Sequence, residues 1–236
     1  MPRQQIEHQR HLRTVVGAGF IALDIVKGAS GSYQALGGSA GNVVAILTFL
    51  GWHGLPVGFL GADQASQRIN DEFHALGAET GLLRRALEHT TPVVYQTIRD
   101  GRPSYSLACP VCGKKRRLGE SVVSELIEEI KQRVQVPAVY YFDRANAFNA
   151  SLAEHFRELN GLVIFEPSAV GQDAEFQRCL SASHVVKYAK DRIEGLSDEN
   201  GEGNFVEIQT LGAEGLRFRM PRSRRWVFMQ IGRAHV

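Results

Sequence analysis

Gly37-Gly38-Ser39-Ala40-Gly41-Asn42 is a glycine-rich turn that runs into an apolar helix. Glycines let a ligand approach the backbone, and a helix start presents amide donors, so the segment suits a small polar ligand. A plain helix cap with turn glycines accounts for it equally. Asp24 stands just after the first apolar run, at the kind of sheet edge where a carboxylate can accept hydrogen bonds from ligand hydroxyls. An exposed acid or a turn cap is the other reading. Asp143-Arg144 follow the apolar run AVYYF in the same way, an acid for substrate and a guanidinium for phosphate, or a simple surface pair. Glu166 and Ser168 in FEPS close the next strand, where Pro167 already explains the turn. Lys187 after HVV could supply charge to phosphates, and Thr210, Gly212 and Gly215 in TLGAEG form a strand-end turn. A solvated helix start and a hairpin turn are the plain alternatives. No GxxxxGK[ST] run is present, which excludes P-loop phosphate chemistry.

Cys109-Pro110-Val111-Cys112-Gly113 has the shape of a zinc knuckle, but a structural zinc takes four ligands. The remaining cysteine, Cys179, lies on a helix far along the chain. Three readings stay open: two free thiols on a basic loop, a zinc half-site shared between two chains, and a redox pair. The last fits worst, because a basic stretch rather than a helix follows.

Strand-like and helix-like segments alternate along the elements that hold these groups. Strands are expected at 13–20, 55–60, 138–142, 163–165, 184–186 and 205–211, and helices at 43–50, 64–76, 120–134, 147–159 and 172–180. Residues 91–100 and 104–109 flank Gly101-Arg102-Pro103 as a hairpin. The helix at 43–50 is apolar on almost every side, as for one enclosed between layers. The pattern is that of a doubly wound α/β sheet beside a small β element.

The 236 residues carry 44% hydrophobic content, enough for one sizeable core. No apolar run reaches the roughly 18–20 residues of a membrane span, and the polar start MPRQQIEHQRHLR has no signal-peptide core, so a cytoplasmic protein with no membrane partner is expected. Three cysteines argue against a disulfide framework. The net charge is +2, yet residues 216–236 hold six arginines and no acid, which leaves the preceding residues at −4. A ragged surface hairpin explains this tail better than a nucleic-acid patch, and no nucleic-acid partner is expected. The final IGRAHV, 231–236, has neither periodicity nor cap and reads as a non-native tail.

Gly37 to Gly61, GGSAGNVVAILTFLGWHGLPVGFLG, followed in order by TLGAEG on an alternating core, resembles the ribokinase-like (PfkB) carbohydrate kinases over about residues 13–220. The resemblance implies one domain over 1–230, with a doubly wound, mostly parallel sheet, flanking helices and a small β lid from about 25–36 and 91–109. It implies transfer of the ATP γ-phosphoryl group, with Mg2+, to a hydroxyl of a sugar or nucleoside, and a homodimer formed through the lid. It makes Asn42 and Asp24 ligands of sugar hydroxyls, lets Gly37 and Gly38 admit the sugar, and adds Asp143 to the substrate side. Lys187, Thr210, Gly212 and Gly215 fall on the nucleotide side. The sequence departs from the family in three places. It has no GAGD run, and Ala189 and Arg192 stand where an N-x-x-E motif organises magnesium. SDENGEGN, 197–204, is also too short for the crossover helix the family places there. The expectation is an active full-length parent and an inactive chain of this extent, with a non-catalytic sugar- or nucleoside-binding pseudokinase as the alternative.

Overall fold

Apolar runs without alternation become strands covered on both faces, and the first of them is β1 (Thr14–Ala18), all five residues of which are buried. In this computed structural model, residues 13–28, 31–99, 102–115, 124–196 and 203–230 are described. The chain divides into two compact units, Met1–Leu126 and Ile127–Val236.

In the first unit, β1 is followed by β2 (Ala22–Gly28), β3 (Gly31–Gly37), α1 (Ser39–Phe49), β4 (His53–Gly61) and α2 (Gln64–Leu76). Then come β5 (Leu83–Ala86), β6 (Val93–Arg99) and β7 (Arg102–Ser106). β4 runs parallel to both β1 and β5. The remaining four strands form a separate sheet in the order β3-β2-β6-β7, with β2 and β6 parallel and both edge pairs antiparallel. This is the small β element expected from 25–36 and 91–109, and it begins earlier than expected, at Ala22. Asp24 therefore lies within a strand of this second sheet, not in the turn after β1.

Glycines set the closeness of the layers. A Cβ at Gly17 would lie 2.3 Å from Val44 Cγ2, so α1 packs on β1 only because that position is bare. The face of α1 that meets the sheet carries Ala40, Gly41, Val44 and Thr48. Its other face leaves Ile46, Phe49 and Leu50 exposed, so the helix is not enclosed on all sides as its composition suggests. α2 matches its expected bounds, 64–76, because both signals are strong: Asp63 accepts the Ser66 amide at 2.9 Å, and Gly77 ends the helix in the left-handed region at φ 88°.

The second unit starts inside α3 (Ser124–Arg133), whose Leu126, Ile127 and Ile130 are buried. It continues through β8 (Val139–Phe142), α4 (Ala147–Glu158), β9 (Leu162–Phe165), α5 (Ala174–Ala182) and β10 (Val185–Ala189). It closes with β11 (Val206–Thr210), β12 (Leu216–Arg219) and β13 (Val227–Met229). β8, β9, β10 and β11 pair in that order, all parallel, and β12 and β13 extend the sheet antiparallel. Residues 190–205 thus make a parallel crossover with no helix among those described; most of SDENGEGN, residues 197–202, lies outside the described residues.

A stack of rings fills this core: Tyr140 on Phe142 and Phe156, and Phe142 on Phe165. The arginine-rich end is partly internal. Arg219 Nε donates to Glu207 Oε2 at 2.6 Å in a buried pair, and Tyr188 donates its hydroxyl to the same carboxylate. Trp226 stacks against both Arg217 and Arg219, at 4.3 and 4.8 Å from its ring centroid. These contacts support the hairpin reading of the tail. The final residues 231–236 lie outside the described residues, as do Gly101 and the first four residues of the expected helix 120–134.

Candidate functional site

Asp24 is the most unusual polar residue of the first unit. Its Oδ1 is buried and has no hydrogen-bond partner. Burial pushes the carboxyl above the usual carboxylate range. The carboxylate lies directly over Gly37: a Cβ there would stand 2.2 Å from Asp24 Cγ. One residue on, Gly38 adopts φ 83°, and a Cβ at that position would fall 2.3 Å from the Phe20 carbonyl oxygen. The two glycines therefore do different work. Gly37 makes room for the acid, and Gly38 makes the turn.

Asn42 is exposed on the first turn of α1, with its amide donating to the Gly38 carbonyl at 2.9 Å. Asp24, Gly37, Gly38 and Asn42 thus come together at one strand-to-helix junction. The amides of this helix start are less available than expected. Ala40 and Gly41 both donate to Phe20 O, at 3.1 and 3.4 Å, so polar side chains rather than those amides are left for a ligand. On β2 the side chains alternate, which puts Leu23 and Ile25 on the face away from Asp24. That opposite face holds a separate cleft of about 210 Å³, lined by Leu23, Ile25, Gln34, Gln64, Val93 and Tyr95 among others.

In the second unit, Asp143 and Glu166 follow the carboxyl ends of β8 and β9, and Lys187 lies in the middle of β10. The paired rows Phe142↔Phe165 and Phe165↔Val186 stop one residue before each of them. Lys187 Nζ donates to Glu166 Oε1 at 2.5 Å, and Tyr141 donates its hydroxyl to Glu166 Oε2 at 2.7 Å. Asp143 is buried beside Arg144, whose Nε lies 3.8 Å from Oδ1 and whose Nη1 donates to Ser168. Lys187, expected as a phosphate cation, is therefore held by a carboxylate. The Tyr141–Glu166–Lys187 link was not read from the sequence, because it depends on strand pairing and not on spacing along the chain.

Thr210 and Gly212 line an open cleft of about 590 Å³ with Ala189, Lys190, Asp191 and Glu214. The turn is built by Leu211 donating to Gly215 O at 2.8 Å, with Gly212 at φ 60° and Gly215 at φ 107°. Gly215 shapes the turn but does not line the cleft. Lys190, Asp191 and Glu214 are lining residues missed in the sequence; they adjoin TLGAEG and the position of Ala189, and only the β10–β11 pairing brings them together.

Cys109 and Cys112 occupy the loop after β7. The backbone amides of Cys112 and Val111 and the Tyr95 hydroxyl hold the Cys109 thiol down at about 6. Cys179 is buried in α5 and burial pushes its thiol up to about 12. Among the described residues there is no group of three or more His, Cys, Asp or Glu that could hold a metal ion, so the two cysteines alone do not complete a site. No helix of the described residues is long and apolar enough to cross a membrane.

No protein-family model matches the sequence, and no curated protein matches it. Solved structures do. A fructokinase with bound ATP from Xylella fastidiosa superposes with a TM-score of 0.69 at 18% identity, over 88% of this chain and 71% of that one. The fructokinase of Halothermothrix orenii gives 0.64 at 21%, over 91% and 84%. An uncharacterized sugar kinase from Pyrococcus horikoshii in complex with ATP gives 0.65 at 13%, over 94% and 78%. At these identities the likeness is one of fold, a mostly parallel α/β sheet with flanking helices. The chain has the ribokinase-like fold of these sugar kinases.

Proposed function

We propose that the protein to which this sequence belongs transfers the γ-phosphoryl group of ATP to a hydroxyl of a sugar or sugar-like acceptor. The observation that carries this reading is the orphaned, buried oxygen of Asp24 above Gly37. An unsatisfied buried acceptor costs roughly 1–3 kcal/mol, and a polyol hydroxyl donating to it removes that cost on binding. Asn42, exposed one turn away, adds a side chain that both donates and accepts.

Nucleotide recognition is assigned to the second unit. The cleft of about 590 Å³ has room for a nucleotide's phosphates, with Lys190 supplying positive charge and the Thr210–Gly212 turn a close backbone approach. Asp191 and Glu214 offer the hard oxygen donors that Mg2+ uses, one or two carboxylates beside substrate phosphates. When bound, that ion would neutralise charge on the phosphates. Lys187 then acts with Glu166 as a fixed ion pair at the edge of the sheet.

In-line transfer needs a group to take the hydroxyl proton. The family supplies it from a GAGD aspartate, and no GAGD run occurs in these 236 residues. The proposal for these 236 residues is therefore sugar and nucleotide binding without transfer, for want of that base. Absence of a general base lowers rates by roughly 10²–10⁴-fold. The test is ATP turnover on a panel of sugars and nucleosides with this chain and with a longer gene product. Sugar-stimulated turnover by the longer protein alone supports the reading. Robust turnover by this chain contradicts the inactive-chain claim, and no sugar binding by either contradicts the site. A second reading, a sugar- or nucleoside-binding pseudokinase, draws on Ala189 and Arg192 at the magnesium-organising positions. It predicts binding without turnover at every length. Dimerisation through the second sheet and a cytoplasmic location belong to the same proposal.

A further inference from the structure

Cys109 and Cys112 have no part in the sugar or nucleotide reading, yet their loop is closely built. An isolated bridge between Ala108 and Lys115 closes it. Within it the Cys109 amide donates to Lys114 O at 2.8 Å, and the Gly113 amide donates to Cys109 O at 2.9 Å. Gly113 sits at φ 70°, a conformation that glycine adopts without strain. The amides of Cys112 and Val111 turn inward onto the Cys109 sulfur, and the Tyr95 hydroxyl from β6 is a third donor to it. A lone thiol needs no such cradle. A metal thiolate does, because hydrogen bonds to the sulfur orient the ligand and spread its charge.

Ligand number then decides what completes the site. Soft thiolates favour zinc, and structural zinc is tetrahedral with four protein ligands. The loop supplies two, and the described residues offer no third within reach. Cys179 is enclosed in the core of the second unit and is not available. Val111 and Cys112 are exposed, so the open side of the pair can be approached by another molecule. The simplest source of two more thiolates with the same geometry is the same loop of a second copy, since a two-fold axis brings identical residues together.

We propose that Cys109 and Cys112 form half of a tetrathiolate zinc site, completed by the same pair on a second copy of this chain, with the metal on the dimer's two-fold axis. Binding exchanges the thiol protons that remain for four Zn–S bonds and releases those protons to solvent. The resulting centre, one Zn2+ with four thiolates, is a dianion. Exposed Lys114 and Lys115 of each loop offset that charge, which explains cations beside a surface where two like-charged loops must meet. The proposal is independent of sugar phosphorylation.

The test uses the reduced 236-residue protein titrated with Co2+ as a visible probe and then with Zn2+. The expected result is thiolate-to-metal absorption of a tetrahedral centre, saturating near one metal per two chains, with a metal-dependent doubling of mass in sedimentation that a chelator reverses. Cys112→Ser and, separately, Cys109→Ser lose both the absorption and the doubling, while Cys179→Ser keeps both. Failure to take up metal, one metal bound per monomer, or an unchanged metal-linked dimer in Cys112→Ser each overturns the proposal. Sugar binding is not read in any arm, so these outcomes leave the kinase reading untouched.

Discussion

Asp24 and Glu166 are both carboxylates attached to strands, and their surroundings are opposite. Glu166 accepts from Tyr141 through one oxygen and from Lys187 through the other. Asp24 has a buried oxygen with no donor and is desolvated as well. A fold that is merely stable satisfies its acids as Glu166 is satisfied. An acid left unsatisfied, over a glycine that cannot be replaced without collision, costs stability in the empty protein, and under the proposed function a sugar hydroxyl recovers that cost. Under the proposed function the difference separates a structural carboxylate from a binding one without reference to either sequence motif.

The largest effect is expected where backbone leaves no freedom. Gly38→Ala places a Cβ 2.3 Å from the Phe20 carbonyl at a φ of 83°, and that carbonyl already holds two amides of α1. We expect a loss of about 3 kcal/mol or more in thermal unfolding. A shift of under a degree or two in Tm would mean the junction is more pliable than described. Glu166→Gln comes next. It keeps an acceptor for Tyr141 but removes the charge facing Lys187, in a pair that is partly solvent-exposed, so about 1 kcal/mol is expected. Sugar affinity should be unchanged, and a parallel loss of sugar binding would erase the distinction between the two carboxylates.

Asp24 predicts a pH effect. Its folded pKa is raised above the ordinary 3.8, so its contribution is fully present below that value and is lost as pH rises through the folded pKa. The ligand-free protein should therefore lose stability from about pH 4 upward, and Asp24→Asn should remove this slope and gain up to about 1 kcal/mol at neutral pH. Equal slopes in the two proteins, measured by denaturant melts, would place the carboxyl in a less desolvated setting. The smallest effect is chemical. In metal-free protein, iodoacetamide should modify Cys109 with a midpoint near pH 6 while Cys179 stays unmodified until unfolding. Mass mapping of the labelled peptides reads this, and first labelling at Cys179 would refute it.

Much of the fold was legible because its signals are local. Asp63 and Gly77 bracket α2 at both ends, and the apolar runs of β1, β8 and β10 announce buried strands. The second sheet was harder to place. Asp24 stands among Ala22, Leu23, Ile25 and Val26, and nothing in that run says that the chain has left the first sheet after Ala18 to enter the second at Ala22. β5 was missed because four residues, two of them exposed arginines, carry almost no pattern. At the site, the glycines and acids were legible as types, whereas satisfaction was not. Whether an acid has a donor depends on which strands pair, so Lys187 read as a free phosphate cation until Glu166 stood beside it.

The most direct test of the central claim is calorimetric titration of the wild-type chain and Asp24→Asn with a sugar panel and, separately, with ATP. The account predicts that at least one sugar binds the wild type, that Asp24→Asn weakens it by at least tenfold, about 1.4 kcal/mol, and that ATP affinity is unaltered. Sugar affinity that survives the substitution, or equal losses for sugar and ATP, would contradict it.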